Sequence, residues 1–253
     1  MTSPPAPQLD RRVAFTRVFN VRDLGGLPTA DGARIRPGQA FRGDGVHRLA
    51  DEDVEVARKL GLRTVLDLRT AAEVDKRHRF PVAELGVDWH HLPLIPRQWS
   101  DDAFAATDGV EAFLTERYLH MLDTGAASIA RALELVSDGV PVLFHCAAGK
   151  DRTGVMAAVL LGLAGVADEV IAEDYHLTAP AMDAMIAWLR VEFPRSSDSM
   201  TEQPPEYLAC PPEAMLGFLA GVAERYGSVE GYARHLGLGD ETLSALRDVL
   251  VER

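Results

Sequence analysis

The sequence predicts an α/β protein, and three observations carry that expectation. Val140 to Phe144 is a short apolar run rich in β-formers, the signature of a strand buried on both faces. Thr153 to Leu163 is Ala-, Leu- and Val-rich and ends near Gly162 and Gly165, as a buried helix with a glycine stop does. Upstream, the amphipathic segment Asp51 to Leu60 has an acidic start, stops at Gly61 and feeds a second strand, Arg63 to Leu68. With 253 residues, 47% hydrophobic and 25% charged, the chain buries a sizeable core as one domain over residues 1–253.

The remaining elements follow in chain order. Residues 1–10 hold Pro4, Pro5 and Pro7 and read as a flexible lead. Asn20 to Arg42 contains short β-like segments, with Thr29-Ala30-Asp31-Gly32 as a hairpin turn. Lys76-Arg77-His78-Arg79 reads as a solvated cationic face. Val87 to Leu94 is a further strand, whose alternation sends His90 and His91 to opposite faces and argues against a shared metal site. Glu111 to Thr124 and Ser128 to Ser137 are helices, the second leading into Val140 to Phe144. Beyond the buried helix nearly everything is helical: Asp168 to Leu177, Ala181 to Phe193 and Pro211 to Tyr226. Met182, Met185, Ile186 and Leu189 fall at helical spacing and belong to the core. A Ser/Pro-rich stretch, Arg195 to Pro205, interrupts these helices.

Between strand and buried helix stands His145-Cys146-Ala147-Ala148-Gly149-Lys150-Asp151-Arg152-Thr153-Gly154. The five residues between Cys146 and Arg152 let successive backbone N–H groups turn inward as an anion-binding nest, with the Arg152 fork closing the ring. Ala147, Ala148, Gly149, Lys150 and Thr153 are therefore the candidate binding residues, and Cys146 with Arg152 the candidate catalytic pair. A helix N-terminus beside a guanidinium favours a thiolate and binds phosphate. The Thr153 hydroxyl is placed to reach the sulfur. Gly149-Lys150 does not make a nucleotide-binding loop, which needs Gly at 144 and Ser or Thr at 151, where this chain has Phe144 and Asp151.

His145 to Gly154 resembles the active-site loop of the cysteine-dependent protein tyrosine phosphatase superfamily, in the version carried by a bacterial branch of atypical tyrosine and dual-specificity phosphatases. Asn20-Val21-Arg22-Asp23-Leu24-Gly25-Gly26 is similar to that branch's N-terminal element, and Val65-Leu66-Asp67-Leu68-Arg69 to its Asp-Leu-Arg strand. Glu224 to Leu238, with Tyr226-Gly227-Ser228 and Tyr232, resembles its C-terminal stretch, so the likeness runs from about residue 18 to residue 250. It implies a phosphotyrosine-phosphatase-like α/β fold with a central, mostly parallel sheet flanked by helices. It also implies a helical lid-like insertion over about 180–216, hinged at Arg195 to Pro205.

The chemistry the resemblance implies is phosphomonoester hydrolysis through a phosphocysteine on Cys146. Arg152 and the loop amides would stabilise both transition states, with no metal or other cofactor. The Trp-Pro-Asp sequence that carries the proton donor in most tyrosine phosphatases is absent here. Asp151 and Asp67 are the candidate general acids, Asp67 alternatively orienting the loop together with Arg69. Asp101, Asp102, Asp108 and Asp123 are weaker candidates. Lys150 is similar to a lysine in the loop of tensin-type phosphoinositide phosphatases, so phosphoinositides join phosphorylated proteins as expected substrates, with inorganic phosphate as product. The alternative is that Lys150 balances Asp151. Arg22 and Asp23 are expected at the pocket rim, unless the Gly25-Gly26 turn serves backbone geometry alone.

A net charge of −12 disfavours nucleic acid or an anionic membrane as partner. No run approaches the roughly 18 apolar residues of a membrane span, and no basic then apolar leader opens the chain. Cytoplasmic residence is the expectation, export without a recognisable signal the alternative. Cys146 and Cys210 are the only cysteines, too few for a disulfide framework, and Cys210 reads as structural. Two other function classes share features of the loop. A rhodanese-type sulfurtransferase also sets a loop cysteine at a helix N-terminus, but Arg152-Thr153 matches phosphate chemistry; a silent phospho-binding module would lack the Cys or the Arg, and both are present.

Overall fold

The computed structural model describes residues 11–77, 85–98, 109–192 and 205–253. The N-terminal lead, the end of the Lys76–Arg79 run, Asp101, Asp102, Asp108 and the expected hinge up to residue 204 lie outside the described residues.

Among the described residues seven short strands form two sheets: β1 (Arg22–Asp23), β2 (Arg34–Ile35), β3 (Ala40–Gly43), β4 (Thr64–Asp67), β5 (Asp88–His91), β6 (Val142–His145) and β7 (Val251–Glu252). The larger sheet has the order β1-β3-β6-β4-β5; only β1 is antiparallel to its neighbour, the rest being parallel. The expected mostly parallel sheet is therefore present. β3, β4 and β6 are buried along their whole length. Alternation divides their side chains between two cores: Ala40, Leu66, Val142 and Phe144 join the larger cluster, whereas Phe41, Val65 and Leu143 join the smaller.

Register places the functional loop. Gly43 of β3 and Asp67 of β4 both pair with His145 of β6, so three parallel strands end at one level and the chain after His145 leaves from their common carboxyl edge.

The helices are α1 (Val54–Lys59), α2 (Ala71–Arg77), α3 (Val110–Thr124), α4 (Ala126–Ser137), α5 (Asp151–Leu163), α6 (Asp168–His176), α7 (Thr178–Glu192), α8 (Pro205–Leu208), α9 (Pro212–Tyr226), α10 (Val229–His235) and α11 (Asp240–Leu250). α5 is buried from Arg152 through Leu161 on every face, which is why its sequence shows no polar stripe. It starts two residues earlier than its apolar run suggests, so Asp151 and Arg152 lie in its first turn. α9 packs closely on α3 because Gly217 and Gly221 leave room: added Cβ atoms would meet Thr115 at 2.6 Å and Leu119 at 2.7 Å. Ala214 and Met215 of α9, at the end of the expected lid segment, are fully buried. Among the described residues no helix is long and apolar enough to cross a membrane.

Candidate active site

The loop's backbone is set from outside. The Ala147 carbonyl accepts the Gly45 N–H at 3.1 Å, the Ala148 carbonyl accepts Asn20 Nδ2 at 3.1 Å, and the Gly149 carbonyl accepts both Asn20 Nδ2 and Arg42 Nη2 at 3.1 Å. In a trans peptide the carbonyl and the next N–H point in opposite directions. Holding three successive carbonyls outward therefore turns the N–H groups of Ala148, Gly149 and Lys150 toward the inside of the loop, as an anion nest requires. Gly149 makes the turn at φ +68°, and a Cβ there would stand 2.7 Å from Asn20 Nδ2, 2.7 Å from the Gly43 carbonyl and 2.8 Å from the Asp44 nitrogen.

The Asn20–Gly26 element is the loop's foundation. Asn20 Oδ1 accepts Arg22 Nη1 at 2.5 Å, and its backbone N–H donates to Asp44 at 2.9 Å. Asp174 of α6 receives Arg11 at 2.8 Å, Arg22 at 3.2 Å and Arg42 at 2.8 Å. Burial opposes the Asp174 charge, and the guanidiniums override it and hold the carboxyl well below the usual range. Burial brings Arg22 down to about 10, still cationic at neutral pH. Arg22 is thus buried behind the loop instead of lining a rim. Asp23 binds the Gly25 N–H at 2.8 Å and the Gly38 N–H at 2.7 Å, so its work is backbone geometry.

Cys146 follows β6 directly and is a buried free thiol. Its partner Arg152 is gripped by Glu73, Nη1 on Oε2 at 2.5 Å and Nη2 on Oε1 at 3.0 Å. That end-on pairing leaves the Nε–H and the outer N–H groups for another anion. Burial opposes the Arg152 charge, but the Cys146 sulfur and the bonded Glu73 push its pKa above the ordinary value. Burial likewise opposes Glu73, yet Arg152 and two donors from Thr70 hold it down to about 2. Glu73 is a functional residue the sequence reading missed. Its signal is Thr70-Ala71-Ala72-Glu73, a capping box at the start of α2 in which Thr70 Oγ1 accepts the Glu73 N–H at 3.3 Å.

The two candidate acids part company. Asp67 is fully buried, with Arg69 Nε at 2.9 Å and Nη2 at 2.6 Å on its two oxygens. Burial opposes its charge; His145 and the doubly bonded Arg69 override that and hold it well below the usual range. Burial also lowers His145, so the cation paired with Asp67 at neutral pH is Arg69. Asp67 is thus held as an acceptor for Arg69 on both oxygens, the arrangement that its orienting alternative calls for. Arg69 in turn meets His47 Nδ1 at 3.1 Å, and its carbonyl meets His91 Nε2 at 2.8 Å.

Asp151 keeps a quarter of its side chain exposed and accepts the Tyr118 hydroxyl at 2.7 Å. Lys150 is buried, its Nζ 2.5 Å from the Tyr207 carbonyl and 3.2 Å from Asp151 Oδ1. These contacts are the ones the balancing alternative calls for. Thr153 donates to the Gly43 carbonyl at 3.4 Å. Asp123 is exposed, 3.8 Å from Arg225. Burial pushes the Cys210 thiol up to about 11, which leaves it protonated at neutral pH.

A thiol at a parallel strand's end, a loop whose carbonyls are held outward and a clamped guanidinium are the groups a phosphoric monoester hydrolase needs around a phosphoryl group. The chain belongs to the tyrosine phosphatase family, whose model matches residues 13–252. It is similar to the triple specificity protein phosphatase PtpB of Mycobacterium tuberculosis, 30% identical over 92% of this chain and 96% of the relative. It is also similar to a tyrosine-protein phosphatase of Nostoc commune, 28% identical over 83% of this chain and 74% of the relative. The crystal structure of P. aeruginosa TpbA overlaps 57% of this chain and 71% of its own at 20% identity and a TM-score of 0.34, too little to carry an argument.

Proposed function

We propose that the protein dephosphorylates phosphotyrosine in proteins through a phosphocysteine intermediate on Cys146. The observation that carries this reading is the outward hold on the Ala147, Ala148 and Gly149 carbonyls, which prepares three amides for the equatorial oxygens of a phosphoryl group beside the sulfur. In the first step sulfur attacks phosphorus, the P–O bond to the phenol breaks, and Asp151 gives the leaving oxygen a proton. In the second, water attacks phosphorus, the S–P bond breaks, and Asp151 takes the proton back as inorganic phosphate leaves. Arg152 holds two phosphoryl oxygens throughout, aligned by Glu73. Asp151 is preferred to Asp67 because it is partly exposed and sits in the loop's own helix turn.

The phosphoinositide expectation rests on the resembled branch as well as on Lys150, and of the two it is Lys150 whose support is weakened by its contacts with Tyr207 and Asp151. The test is turnover of a phosphotyrosine peptide without added metal, inhibition by vanadate, and trapping of an acid-stable phosphoenzyme that disappears in Cys146→Ser. Turnover that survives in Cys146→Ser, or that needs a metal, overturns the reading. Phosphoserine peptides and phosphoinositide vesicles, assayed alongside, rank the substrates.

A further inference from the structure

A pair of buried tyrosines stands behind the loop and the mechanism so far leaves it unused. Tyr118 of α3 and Tyr175 of α6 are buried, with their hydroxyls 2.7 Å apart and their rings edge to face at 6.0 Å. Gly154, the last residue of the loop motif, makes room for them: a Cβ there would lie 3.0 Å from the Tyr175 ring. The Tyr118 hydroxyl donates to Asp151 Oδ1, the same oxygen that Lys150 Nζ approaches at 3.2 Å. No described residue hydrogen-bonds to Asp151 Oδ2.

The geometry points to Tyr118 as a positioning residue for the general acid, one that dedicates Asp151 Oδ1 to accepting and so assigns the transferable proton to Oδ2. This rests on the reading of Asp151 as proton donor. The hydroxyl of Tyr118 has one proton, and it lies on Asp151; the contact with Tyr175 then runs from the Tyr175 hydroxyl to the Tyr118 oxygen. A proton placed on Oδ1 would confront both that donor and the Lys150 ammonium, which has donors only. The protonated carboxyl therefore carries its hydrogen on Oδ2. When the phenol departs, the Oδ2 proton moves to the leaving oxygen as the P–O bond breaks. The resulting carboxylate is already held at Oδ1 by Tyr118 and Lys150, and Oδ2 recovers a proton from the attacking water in the second step. Burial, with Asp151 beside it, pushes Tyr118 well above the ordinary phenol range; burial and Asp151 do the same to Tyr175. Both remain donors across the working pH.

The test compares Tyr118→Phe, Tyr175→Phe, Asp151→Asn and the double variant Tyr118→Phe/Asp151→Asn on p-nitrophenyl phosphate and on phenyl phosphate. The second has the poorer leaving group and depends more on the proton. Asp151→Asn is expected to lower kcat/KM, which reports only the steps up to departure of the phenol, by about 100-fold or more on phenyl phosphate and far less on p-nitrophenyl phosphate. Tyr118→Phe, which keeps the ring packing, should show the same selectivity in kcat/KM at about tenfold and should cost nothing further in the Asp151→Asn background. Tyr175→Phe should give the same selective loss in weaker form, and it reads the relay if Tyr118→Phe does not fold. Equal losses of Tyr118→Phe on the two substrates, or full additivity with Asp151→Asn, overturn the positioning role alone. Asp151→Asn without leaving-group selectivity overturns the assignment of the acid itself.

Discussion

Replacing Gly149 by alanine tests whether the anion nest is held open from outside. The residue sits at φ +68°, where a Cβ costs about 1–2 kcal/mol. Its new methyl would also meet Asn20 Nδ2 and the Gly43 carbonyl at 2.7 Å and the Asp44 nitrogen at 2.8 Å. Two of those atoms are backbone at the end of a buried strand and cannot yield cheaply; overpacking of this kind adds about 1–3 kcal/mol. The third is the amide that holds the Ala148 and Gly149 carbonyls outward, so the accommodation that relieves the clash also releases the loop peptides. Gly149→Ala should thus lose about 2–5 kcal/mol of stability and about 100- to 1,000-fold in kcat, the range for losing one preorganised donor to an oxyanion. Gly32→Ala is the control, because Gly32 has φ +87° with open space around its Cβ position. It carries the conformational cost alone and should leave activity intact. Thermal unfolding and p-nitrophenyl phosphate turnover, with vanadate affinity, read both effects. Were Gly149→Ala to match Gly32→Ala in melting temperature and the wild type in kcat and vanadate affinity, the outward hold on the carbonyls would not be what shapes the site.

Glu73→Gln keeps the capping box but exchanges a charged, two-point grip on Arg152 for a neutral one, and should lower kcat about 100-fold with p-nitrophenyl phosphate; an unchanged kcat refutes the role of Glu73. Stability should fall as pH drops from about 5 toward 2. Glu73 is held down to about 2, and Asp67 and Asp174 are depressed as well, so their contribution is complete above the unfolded carboxylate range and is lost on protonation. Glu73 alone accounts for about 3 kcal/mol of that change. Asp23, pushed up by burial, works in the opposite sense. Urea unfolding at a series of pH values checks the slope, and constant stability down to pH 3 refutes it. Lys150→Met should reduce turnover of phosphotyrosine peptide and phosphoinositide vesicles in equal proportion, because its ammonium is engaged by Tyr207 and Asp151; a loss confined to phosphoinositide restores the substrate role.

What was legible in the sequence was local. The strand before Cys146 follows from its apolar β-formers and the buried helix after Arg152 from composition and a glycine stop, each within two residues of where that pattern puts it; the amphipathic segment before β4 is present too, its first three residues, Asp51–Asp53, forming a 3-10 turn ahead of α1. The start of α5 was misjudged because Asp151 and Arg152 interrupt the apolar run, although an acidic first turn is favourable at a helix N-terminus. β2 falls within the expected β-like stretch Asn20 to Arg42, but β7 falls in none, since two residues of strand have no period and the pairing of the two joins positions more than two hundred residues apart. Separation along the chain also hides Asp174, which lies 132 to 163 residues from its arginine partners. Nothing near it in the chain marks it as the carboxylate on which Arg11, Arg22 and Arg42 converge, because the convergence exists only after β1, β3 and α6 have packed. Glu73 was within reach, as its capping box is a local motif, but a helix cap by itself does not announce that its carboxylate also clamps a guanidinium.

These distant residues explain how a chain of net charge −12 makes a site for a dianion. Among the described residues around the loop, Arg11, Arg22, Arg42, Arg48, Arg69, Lys150 and Arg152 face the carboxylates Asp44, Asp67, Asp151, Asp174 and Glu73. Buried charges need partners, and each of these carboxylates has at least one cation within reach. At Asp174 three guanidiniums share one carboxylate. Arg42 spends part of its hydrogen bonding on the Gly149 carbonyl. On the proposed reading, the guanidiniums at Asp174 act on the phosphoryl group through the same contacts that turn the loop amides inward, in a setting of low dielectric and little salt screening. An acidic molecule as a whole is then compatible with an anionic substrate, because the charges that meet it are local to the loop.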